Sequence, residues 1–277
     1  MLDQITPVIL TYNEAANIAR TLERLAWARD IVVVDSFSDD ETLEIVGRAP
    51  QARVFQREFD CHENQWNFTL KQTDITTRWV LALDADYTLT PGLIEELREL
   101  EPDKETAGYC ARFVYCINGR PLRGAAYPPV TVLYVREGSS YQQDGHTQRV
   151  LVQGNVLELR APILHDDRKN LEHWLRSQSR YMKLEANKLA PADWRNLGWA
   201  DRLRKTWIVA PFAIVFYCLF VKGAILDGRA GLYYAIQRFI SELILSLYLI
   251  EESFAGEKRE ETDRAVTLTE ASESPPD

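Results

Sequence analysis

Cysteine is scarce in this sequence, and the few cysteines are scattered. Of the 277 residues, four are cysteines: Cys61, Cys110, Cys116 and Cys218. None belongs to a CxxC pair or matches the spacing of a zinc site, which argues against a disulfide scaffold and against a zinc module. We therefore expect reduced, buried thiols, as in a cytosolic environment.

The sequence also lacks an excess of basic residues. Lys and Arg number 32 against 41 Asp and Glu, which gives a formal net charge of −9. A nucleic-acid-binding protein normally carries a basic footprint, so this balance argues against a nucleic acid as a partner. With 46% hydrophobic residues, the chain is long enough for one large domain or two small ones with a real core.

No uncharged hydrophobic run is long enough to cross a bilayer as a simple helix. Residues 207–221 form an uncharged stretch of fifteen residues, whereas a spanning helix needs roughly 20, and Pro211 would kink it. The first ten residues have neither the basic start nor the apolar core of a signal peptide. The sequence shows no internal repeat.

The first hundred residues instead alternate between short apolar runs and helical patterns. Apolar runs at 5–11, 31–34, 53–55 and 79–83 predict strands, and their continuous hydrophobicity is typical of strands buried on both faces. Helices are predicted between them at 14–27, 40–48 and 63–72. This alternation predicts a doubly wound α/β domain in which these strands form one parallel sheet.

Polar residues follow three of these strands: Asn13, Glu14, Asp35, Asp84 and Asp86. The carboxyl ends of parallel strands meet at one edge of a sheet, where open α/β folds bind their ligands. The carboxylates of Asp84 and Asp86, one residue apart, repel each other unless a cation lies beside them. Carboxylate oxygens are hard ligands that suit Mg²⁺ or Mn²⁺, and such an ion is held partly by the phosphates of the substrate. Alone, the acidic pair would equally fit a polar strand end, but the convergence of all five residues predicts a metal and phosphate site.

Three motifs in this order resemble the N-terminal half of the family-2 glycosyltransferases, and most of all the lipopolysaccharide-core type. They are Thr11-Tyr12-Asn13-Glu14, the segment 33–40 with Asp35, Ser38 and Asp40, and Leu83-Asp84-Ala85-Asp86. The resemblance implies a GT-A fold (a Rossmann-like mixed sheet), a nucleotide-sugar donor and inversion at the anomeric carbon. It also implies that Asn13, Glu14 and Asp35 lie at the nucleotide, with Asp84 and Asp86 near ribose, diphosphate and a divalent metal.

The resemblance further implies that a carboxylate from the second half of the fold acts as general base on the acceptor hydroxyl. Strands are predicted over 106–118, 130–135 and 156–159, after a helix at 91–100. The lipopolysaccharide-core relatives usually carry His-Glu in the polar stretch 142–150, whereas this chain has His146-Thr147. Asp144 is therefore the candidate base and His146 the alternative, since its ordinary pKa lies near neutrality. A simple turn before Gly145 would also explain Asp144.

A second polar run follows an apolar strand at His165-Asp166-Asp167-Arg168. GT-A enzymes often add a late histidine to the metal shell, and His165 occupies that place. Asp166 or Asp167 would orient the other imidazole nitrogen. The planar fork of Arg168 suits the oxygens of a diphosphate.

The C-terminal third reads as helical, beginning with a helix over 171–189. Two apolar runs, 207–221 and 232–250, are flanked by basic and aromatic residues, which favours a helical hairpin in one leaflet of a membrane. A buried helical pair or an oligomer interface is the alternative. Leu226-Asp227-Gly228 matches a turn in the lipopolysaccharide-core relatives, which implies a lipid-linked glycan acceptor and a location on the cytoplasmic face of the inner membrane.

We therefore predict four parts: a nucleotide-sugar-binding half at 1–100, an acceptor-side half at 101–170, a membrane-associated helical region at 171–255, and a disordered tail at 256–277. The predicted activity is that of a metal-dependent, inverting hexosyltransferase. Two rivals remain: a nucleotidyltransferase, although Thr11–Glu14 offers no Gly-rich basic phosphate loop, and a non-catalytic nucleotide-sugar-binding scaffold, which the missing glutamate after His146 would favour.

Overall fold

The computed structural model describes residues 1–125, 127–144 and 147–273, and for 144, 147 and 255–273 it describes the backbone alone. The chain divides into two compact units, one formed by Met1–His173 with Cys218–Tyr234 and the other by Trp174–Tyr217 with Ala235–Asp277.

The N-terminal part of the first unit is a parallel α/β arrangement, as predicted. Its strands and helices are β1 (Ile5–Thr11), α1 (Ile18–Glu23), β2 (Ile31–Asp35), α2 (Thr42–Val46), β3 (Ala52–Gln56), α3 (His62–Gln72) and β4 (Trp79–Asp84). The four strands are parallel, in the order β4-β1-β2-β3.

Helices α1 and α2 are shorter than the patterns 14–27 and 40–48 predicted. Asn13 has a φ of 53°, a left-handed conformation that asparagine tolerates better than most residues. The backbone N–H groups of Glu14 and Ala15 are bound by side chains of Thr42 and Asp40 rather than by a helical turn. The segment before α1 is therefore a loop fixed by the segment before α2, and only the six residues from Ile18 form α-helix.

Three further strands extend the sheet and make it mixed. They follow α4 (Pro91–Glu99) and are β6 (Thr106–Ala111), β9 (Val130–Val135) and β12 (Asn155–Glu158). Strand β9 is antiparallel to both β4 and β6, and β12 is parallel to β6, so the complete order is β12-β6-β9-β4-β1-β2-β3. The predicted strand at 130–135 is confirmed at both ends.

A second, smaller sheet was not predicted, and it positions part of the candidate site. Its strands are β5 (Tyr87–Leu89), β7 (Phe113–Ile117), β8 (Arg120–Pro121) and β13 (Ile163–His165), in the order β5-β13-β7-β8. The predicted strand region 106–118 is broken at Arg112, so that β6 joins the large sheet and β7 the small one. A hairpin of β10 (Ser140–Asp144) and β11 (Thr147–Leu151) stands apart from both sheets.

The core of this unit lies on both faces of the large sheet. Successive residues of a strand point to opposite faces, and the central strands are apolar on both, which is why their sequences read as continuous runs. One face carries Ile5, Ile9, Val33, Leu81 and Leu83, and the other carries Val8, Val32, Val34, Val80 and Ala82.

The C-terminal segment of the first unit packs on the loop after β8. Residues Ala224–Asp227 form a 3-10 turn, and Gly228 follows with a φ of 60°. The Arg123 N–H donates to Asp227 Oδ2 at 2.9 Å. Gly231 lies so close to the Ala224 carbonyl that a Cβ there would clash with backbone. The turn predicted at Leu226-Asp227-Gly228 is thus held to the first unit, whereas we had assigned all of 171–255 to one helical region.

The second unit is helical, and its helices are α5 (Leu171–Leu189), α6 (Trp199–Arg204), α7 (Val209–Phe216) and α8 (Arg229–Glu273), of which the first and last begin in the first unit. A small core contains Met182, Ala186, Leu189, Leu245 and Leu249. Arg204 is half-buried and lies 2.9 Å from Glu242 and 3.6 Å from Glu185, so its charge is compensated inside the unit. The predicted helix 171–189 is confirmed.

Helix α8 continues to Glu273, where the composition predicted a disordered tail from 256. The segment is rich in Glu and also contains Arg, Ala and Lys, which are good helix formers, and extending a nucleated helix is much easier than starting one. Among the described residues, no helix is long and apolar enough to cross a membrane.

Candidate active site at the carboxyl edge of the sheet

The large sheet brings the predicted polar residues to one edge. Strand β1 lies between β2 and β4, with Thr11 opposite Asp35 and Leu10 opposite Asp84. The two carboxylates are therefore at the same level of the sheet, and the loop that begins at Tyr12 leaves from between them. The predicted convergence of strand ends is confirmed.

Asp35 is a buried anchor for the loop that follows it. Its carboxylate accepts hydrogen bonds from Thr11 Oγ1 at 2.9 Å, Ser38 Oγ at 2.5 Å and the Ser38 N–H at 2.8 Å. A fully buried carboxylate requires such donors, because an unpaired charge in the interior is costly. Asp35 fixes the shape of residues 36–38, and its contact with a nucleoside stays a prediction.

Asn13 and Glu14 link this loop to the loop after β1. The Asn13 N–H donates to Ser38 Oγ at 2.9 Å, and Asn13 Oδ1 accepts from the Asp39 N–H at 3.0 Å. The backbone of Glu14 is held by Thr42 Oγ1 at 2.7 Å. The two loops form one preorganised rim, which suits a site that binds a rigid planar group.

Two exposed aromatic residues belong to the same rim, and we had assigned neither of them to the site. Tyr12 and Phe37 follow the neighbouring strands β1 and β2, and Phe37 is 56% exposed. Phe37 also has a φ of 59°, a left-handed conformation that a bulky residue adopts only under strain. Strain and solvent exposure at one apolar residue favour a role in ligand binding over a role in the fold.

Asp86 and His165 are brought together by the pairing of β5 with β13. His165 lies opposite Tyr87 in this antiparallel pair, and the Asp166 N–H donates to the Asp86 carbonyl at 3.1 Å. As a result His165 Nε2 is 3.0 Å from Asp86 Oδ2. The two residues are remote in sequence, and only the small sheet explains how they meet.

The charges of this cluster influence one another strongly. Burial, together with the charge of Asp86, raises the pKa of Asp84 to about 6. Burial acts in the same direction on Asp86, but the neighbouring imidazole outweighs it and lowers the pKa of Asp86. Burial opposes protonation of His165, yet Asp86 and Asp84 raise its pKa. The site therefore concentrates negative charge and draws a positive charge toward it.

The donor set of Asp86 and His165 fits a divalent metal that arrives with a phosphate ligand. Mg²⁺ and Mn²⁺ commonly take only one or two protein carboxylates and complete their shell with water and substrate phosphates. Within the described residues no group of three or more His, Cys, Asp and Glu side chains is arranged to hold a metal. Among the described residues, the buried Nδ1 of His165 has no hydrogen-bond partner, which leaves the imidazole able to change tautomer when Nε2 meets a cation.

The prediction that Asp166 or Asp167 orients the imidazole of His165 is wrong. Asp166 accepts from the Gly119 N–H at 2.9 Å and from Arg168 at 2.8 Å. Asp167 accepts from Asn17 and from the Lys169 N–H. Both carboxylates organise the loop after β13 and are not available to the imidazole.

Aromatic rings hold the imidazole of His165 instead. Tyr87, Tyr115 and Tyr127 lie with ring centroids 5.2, 4.8 and 5.0 Å from it. The hydroxyls of Tyr87 and Tyr127 are 2.6 Å apart. Three edge-on or tilted rings restrict the plane of the imidazole by packing. The sequence contained no signal for this cluster, because its members come from three separate segments.

The guanidinium of Arg168 binds Asp166 through Nε and Nη2, both at 2.8 Å, and its predicted contact with a diphosphate stays a prediction. The next residue, which the sequence argument passed over, is the one beside the acidic cluster. Lys169 Nζ lies 2.5 Å from Glu14 Oε1, and both side chains are largely buried. Burial raises the pKa of Glu14 to about 7, although Lys169 and Asn17 act against this rise.

The two candidates for the general base lie where the structure describes little. The backbone of Asp144 pairs with Thr147 at the end of the β10–β11 hairpin, and its side chain is not described. His146 lies outside the described residues. Both assignments stay predictions.

A mixed sheet with nucleotide-type loops and an acidic cluster at its carboxyl edge fits the GT-A fold. The model of glycosyl transferase family 2 matches residues 6–163, more than half of the chain, and the protein belongs to this family. The match runs from β1 to the first residue of β13, so it contains Asn13, Glu14, Asp35, Asp84, Asp86 and Asp144, whereas the segment from His165 to Lys169 lies just beyond it.

Known relatives are similar to only part of the chain. An uncharacterized glycosyltransferase of Rickettsia bellii is 28% identical over 144 residues, 50% of this chain and 48% of that protein, and one of Rickettsia felis is 27% identical over 146 residues. The chain thus matches about half the length of these curated relatives.

Two solved structures give weak overall superpositions. The Staphylococcus aureus TarS fragment 1–349 with UDP-GlcNAc has a TM-score of 0.47 at 16% identity, covering 92% of both chains. Glucosyl-3-phosphoglycerate synthase of Mycobacterium tuberculosis, with Mn²⁺, UDP and phosphoglyceric acid, has a TM-score of 0.47 at 16% identity, covering 68% of this chain and 78% of that one.

Proposed function

We propose that this protein is a metal-dependent, inverting glycosyltransferase that moves a hexose from a nucleotide-sugar donor to a hydroxyl group. The observation that carries the proposal is the pair formed by Asp86 and His165, 3.0 Å apart beside Asp84 at the edge where β1, β2 and β4 end. Family membership supports a glycosyltransferase over a nucleotidyltransferase.

The nucleoside would lie on the rim formed by the loops after β1 and β2. Asp35 and Asn13 shape that rim, and the exposed rings of Tyr12 and Phe37 offer apolar surfaces to a nucleobase. Aromatic stacking accepts any base and leaves the choice between uracil, guanine, cytosine and thymine to polar contacts.

Asp86 and His165 would hold a divalent metal, Mg²⁺ or Mn²⁺, with Asp84 beside it. Such a metal acts as a Lewis acid that neutralises the negative charge developing on the departing diphosphate. Asp84 and Asp86 keep the edge of the sheet acidic, and the packed tyrosines hold the ring of His165 in place.

Inversion requires the acceptor hydroxyl to attack the anomeric carbon from the side opposite the diphosphate. A base on that side removes the hydroxyl proton as the new bond forms. Asp144, with His146 as the alternative, stays our candidate because the hairpin β10–β11 is joined to α3, where the Gln143 N–H donates to Glu63 Oε2 at 3.1 Å. Helix α3 in turn contacts the loop after β2, since Gln65 Nε2 donates to Ser36 Oγ at 3.2 Å.

The acceptor we propose is a lipid-linked glycan, such as a lipopolysaccharide core, reached at the cytoplasmic face of the inner membrane. Support comes from large apolar side chains that are exposed in the first unit near Lys222 and Arg229, namely Phe220, Val221, Ile225, Leu226 and Leu232. Apolar and basic residues together suit a surface of anionic lipids. The alternative is that a second copy of the chain covers these apolar side chains.

Calorimetric titration with UDP, GDP, CDP and dTDP, each with and without Mn²⁺, tests the proposal. We expect one diphosphate to bind tightly and only in the presence of the metal. Binding without any transfer to glycan acceptors would support the scaffold alternative. Failure of folded protein to bind any of the four would overturn the proposed donor site.

A further inference from the structure

We propose that Lys169, and not Arg168, is the cation that this chain supplies to the donor's diphosphate, and that Glu14 holds the Lys169 ammonium ready for it. This inference rests on the proposed function and names a residue of the same site. It departs from the sequence argument, which chose Arg168 for this role.

The first reason is where the two positive charges lie. The Arg168 guanidinium makes two contacts of 2.8 Å to Asp166, and its neighbour is the backbone of Gly119 on the connection from β7 to β8. The ammonium of Lys169 instead contacts Glu14, at the loop after β1, where the nucleotide rim begins. The charge of Lys169 lowers the pKa of both Asp84 and Asp86.

The second reason is the surplus of negative charge around Lys169. The Lys169 ammonium contacts Glu14, and the charges of Asp167 and Asp86 also raise its pKa, so several carboxylates share one ammonium. A diphosphate that enters with a metal brings further negative charge to this edge. A lysine on a flexible four-carbon stem can turn from one anion to another, which a bidentate arginine cannot do without breaking two bonds.

The third reason is that hydrogen bonds fix the surroundings of Lys169 independently of its ammonium. Asn17, which is fully buried, donates to Glu14 Oε2 and to Asp167 Oδ1, both at 2.9 Å. Its Oδ1 accepts from the Arg168 N–H at 3.0 Å. The loop after β13 and the loop after β1 are thus joined by one amide. Glu14 keeps this hydrogen bond from Asn17 when the ammonium leaves.

The test is calorimetry on the full chain with Mn²⁺, using whichever of UDP, GDP, CDP and dTDP binds the unaltered protein, and the matching nucleoside monophosphate. We expect Lys169→Met to weaken binding of the diphosphate about 10- to 100-fold, since one charge-assisted contact is lost. The monophosphate, which lacks the outer phosphate, should be affected less. Lys71→Met, at an exposed lysine of α3, is the matched control.

The double variant Glu14→Gln/Lys169→Met distinguishes a role of Lys169 in diphosphate binding from a purely structural role. Removing both charges avoids an unpaired buried carboxylate, so we expect thermal stability to recover while diphosphate affinity stays low. If affinity recovers together with stability, Lys169 is a structural brace and the inference is overturned.

Two further outcomes distinguish this inference from the proposed function. If the Lys169→Met protein still binds the diphosphate, or if Arg168→Ala abolishes this binding instead, the inference is overturned and the proposed function stands. No diphosphate binding by the unaltered, folded protein overturns both.

Discussion

His165 Nε2 and Asp86 Oδ2 are 3.0 Å apart although 79 positions separate the two residues in the chain (165 minus 86). Their contact depends on three residues of β13 pairing with three of β5. The metal site that we propose would need both partners, because neither strand end offers a complete set of ligands.

We predict that Asp86→Asn abolishes metal-dependent binding of the nucleoside diphosphate. The amide keeps the shape of the carboxylate but removes the charge that attracts a cation. Transfer should fall by roughly 100-fold or more, the scale at which loss of preorganised charge stabilisation is felt. Calorimetry with Mn²⁺ and a turnover assay measure the two effects.

Glu23→Gln provides the control for Asp86→Asn, since it neutralises an exposed carboxylate on α1. Unchanged metal dependence in a folded Asp86→Asn protein would contradict the assignment of the metal.

We predict that Phe37→Asn makes the protein more stable and lowers its affinity for the nucleotide. Asparagine accepts a positive φ more readily than phenylalanine, so the free energy of unfolding should rise by up to about 1 kcal/mol. Loss of an aromatic surface should weaken nucleotide binding by about tenfold. Chemical denaturation and calorimetry on the same samples measure both.

Phe59→Asn is the control for this variant, since Phe59 is also an exposed aromatic residue but has no positive φ. A Phe37→Asn protein with unchanged nucleotide affinity would show that the exposed ring has no role at the donor.

The sequence predicted the large sheet well because its strands carry their own signal. Strands such as β4 and β9 are apolar, buried on both faces and long enough to show a pattern, and Asp84 marks the end of β4. The carboxylates at strand ends followed from that pattern, since parallel strands deliver their ends to one edge.

The small sheet could not be predicted in the same way. Strands β5 and β13 have three residues each, too few to show the alternation typical of a strand. Each is extended because it pairs with the other, and this pairing leaves no local signal in the sequence. The sequence could not distinguish Arg168 from Lys169 for a related reason. Their side chains are adjacent in sequence, and only the contacts of Asn17 and Asp166 decide which of them faces the acidic cluster.

We predict that Glu96→Gln destabilises the protein at neutral pH and has little effect in acid. Glu96 lies in α4 and accepts from the Arg160 and Ala161 N–H groups at 2.9 and 2.8 Å, which fixes the segment leading into β13. Burial alone would raise the pKa of Glu96, but these two donors outweigh it and lower the pKa.

A lowered folded-state pKa gives stability that is present above the unfolded pKa, about 4.3, and is lost as the pH falls through the folded value. The variant should therefore lose about 1–2 kcal/mol at pH 7, and the difference should shrink below about pH 4.3. Glu95→Gln, one residue earlier and exposed in a pair with Arg98, should change little at either pH. A pH-independent loss in Glu96→Gln would mean that shape and not charge fixes this segment.

We predict that Phe220→Ser/Leu226→Ser releases the protein from anionic vesicles. Both side chains are exposed, Leu226 by 67%, and both lie in the part of the first unit that carries Lys222 and Arg229. Fully burying two such side chains in lipid contributes roughly 1.5–3 kcal/mol each, so partitioning should fall at least about tenfold even if burial is partial. Sedimentation with phosphatidylglycerol vesicles measures the partition, and added salt should weaken it.

Leu157→Ser is the control for this surface, because Leu157 is an exposed leucine of β12 in the large sheet. If the unaltered protein ignores vesicles and sediments as a dimer that the double variant dissociates, the apolar residues form a contact between two copies of the chain. The membrane assignment would then be wrong, and the acceptor would have to be sought among soluble glycans.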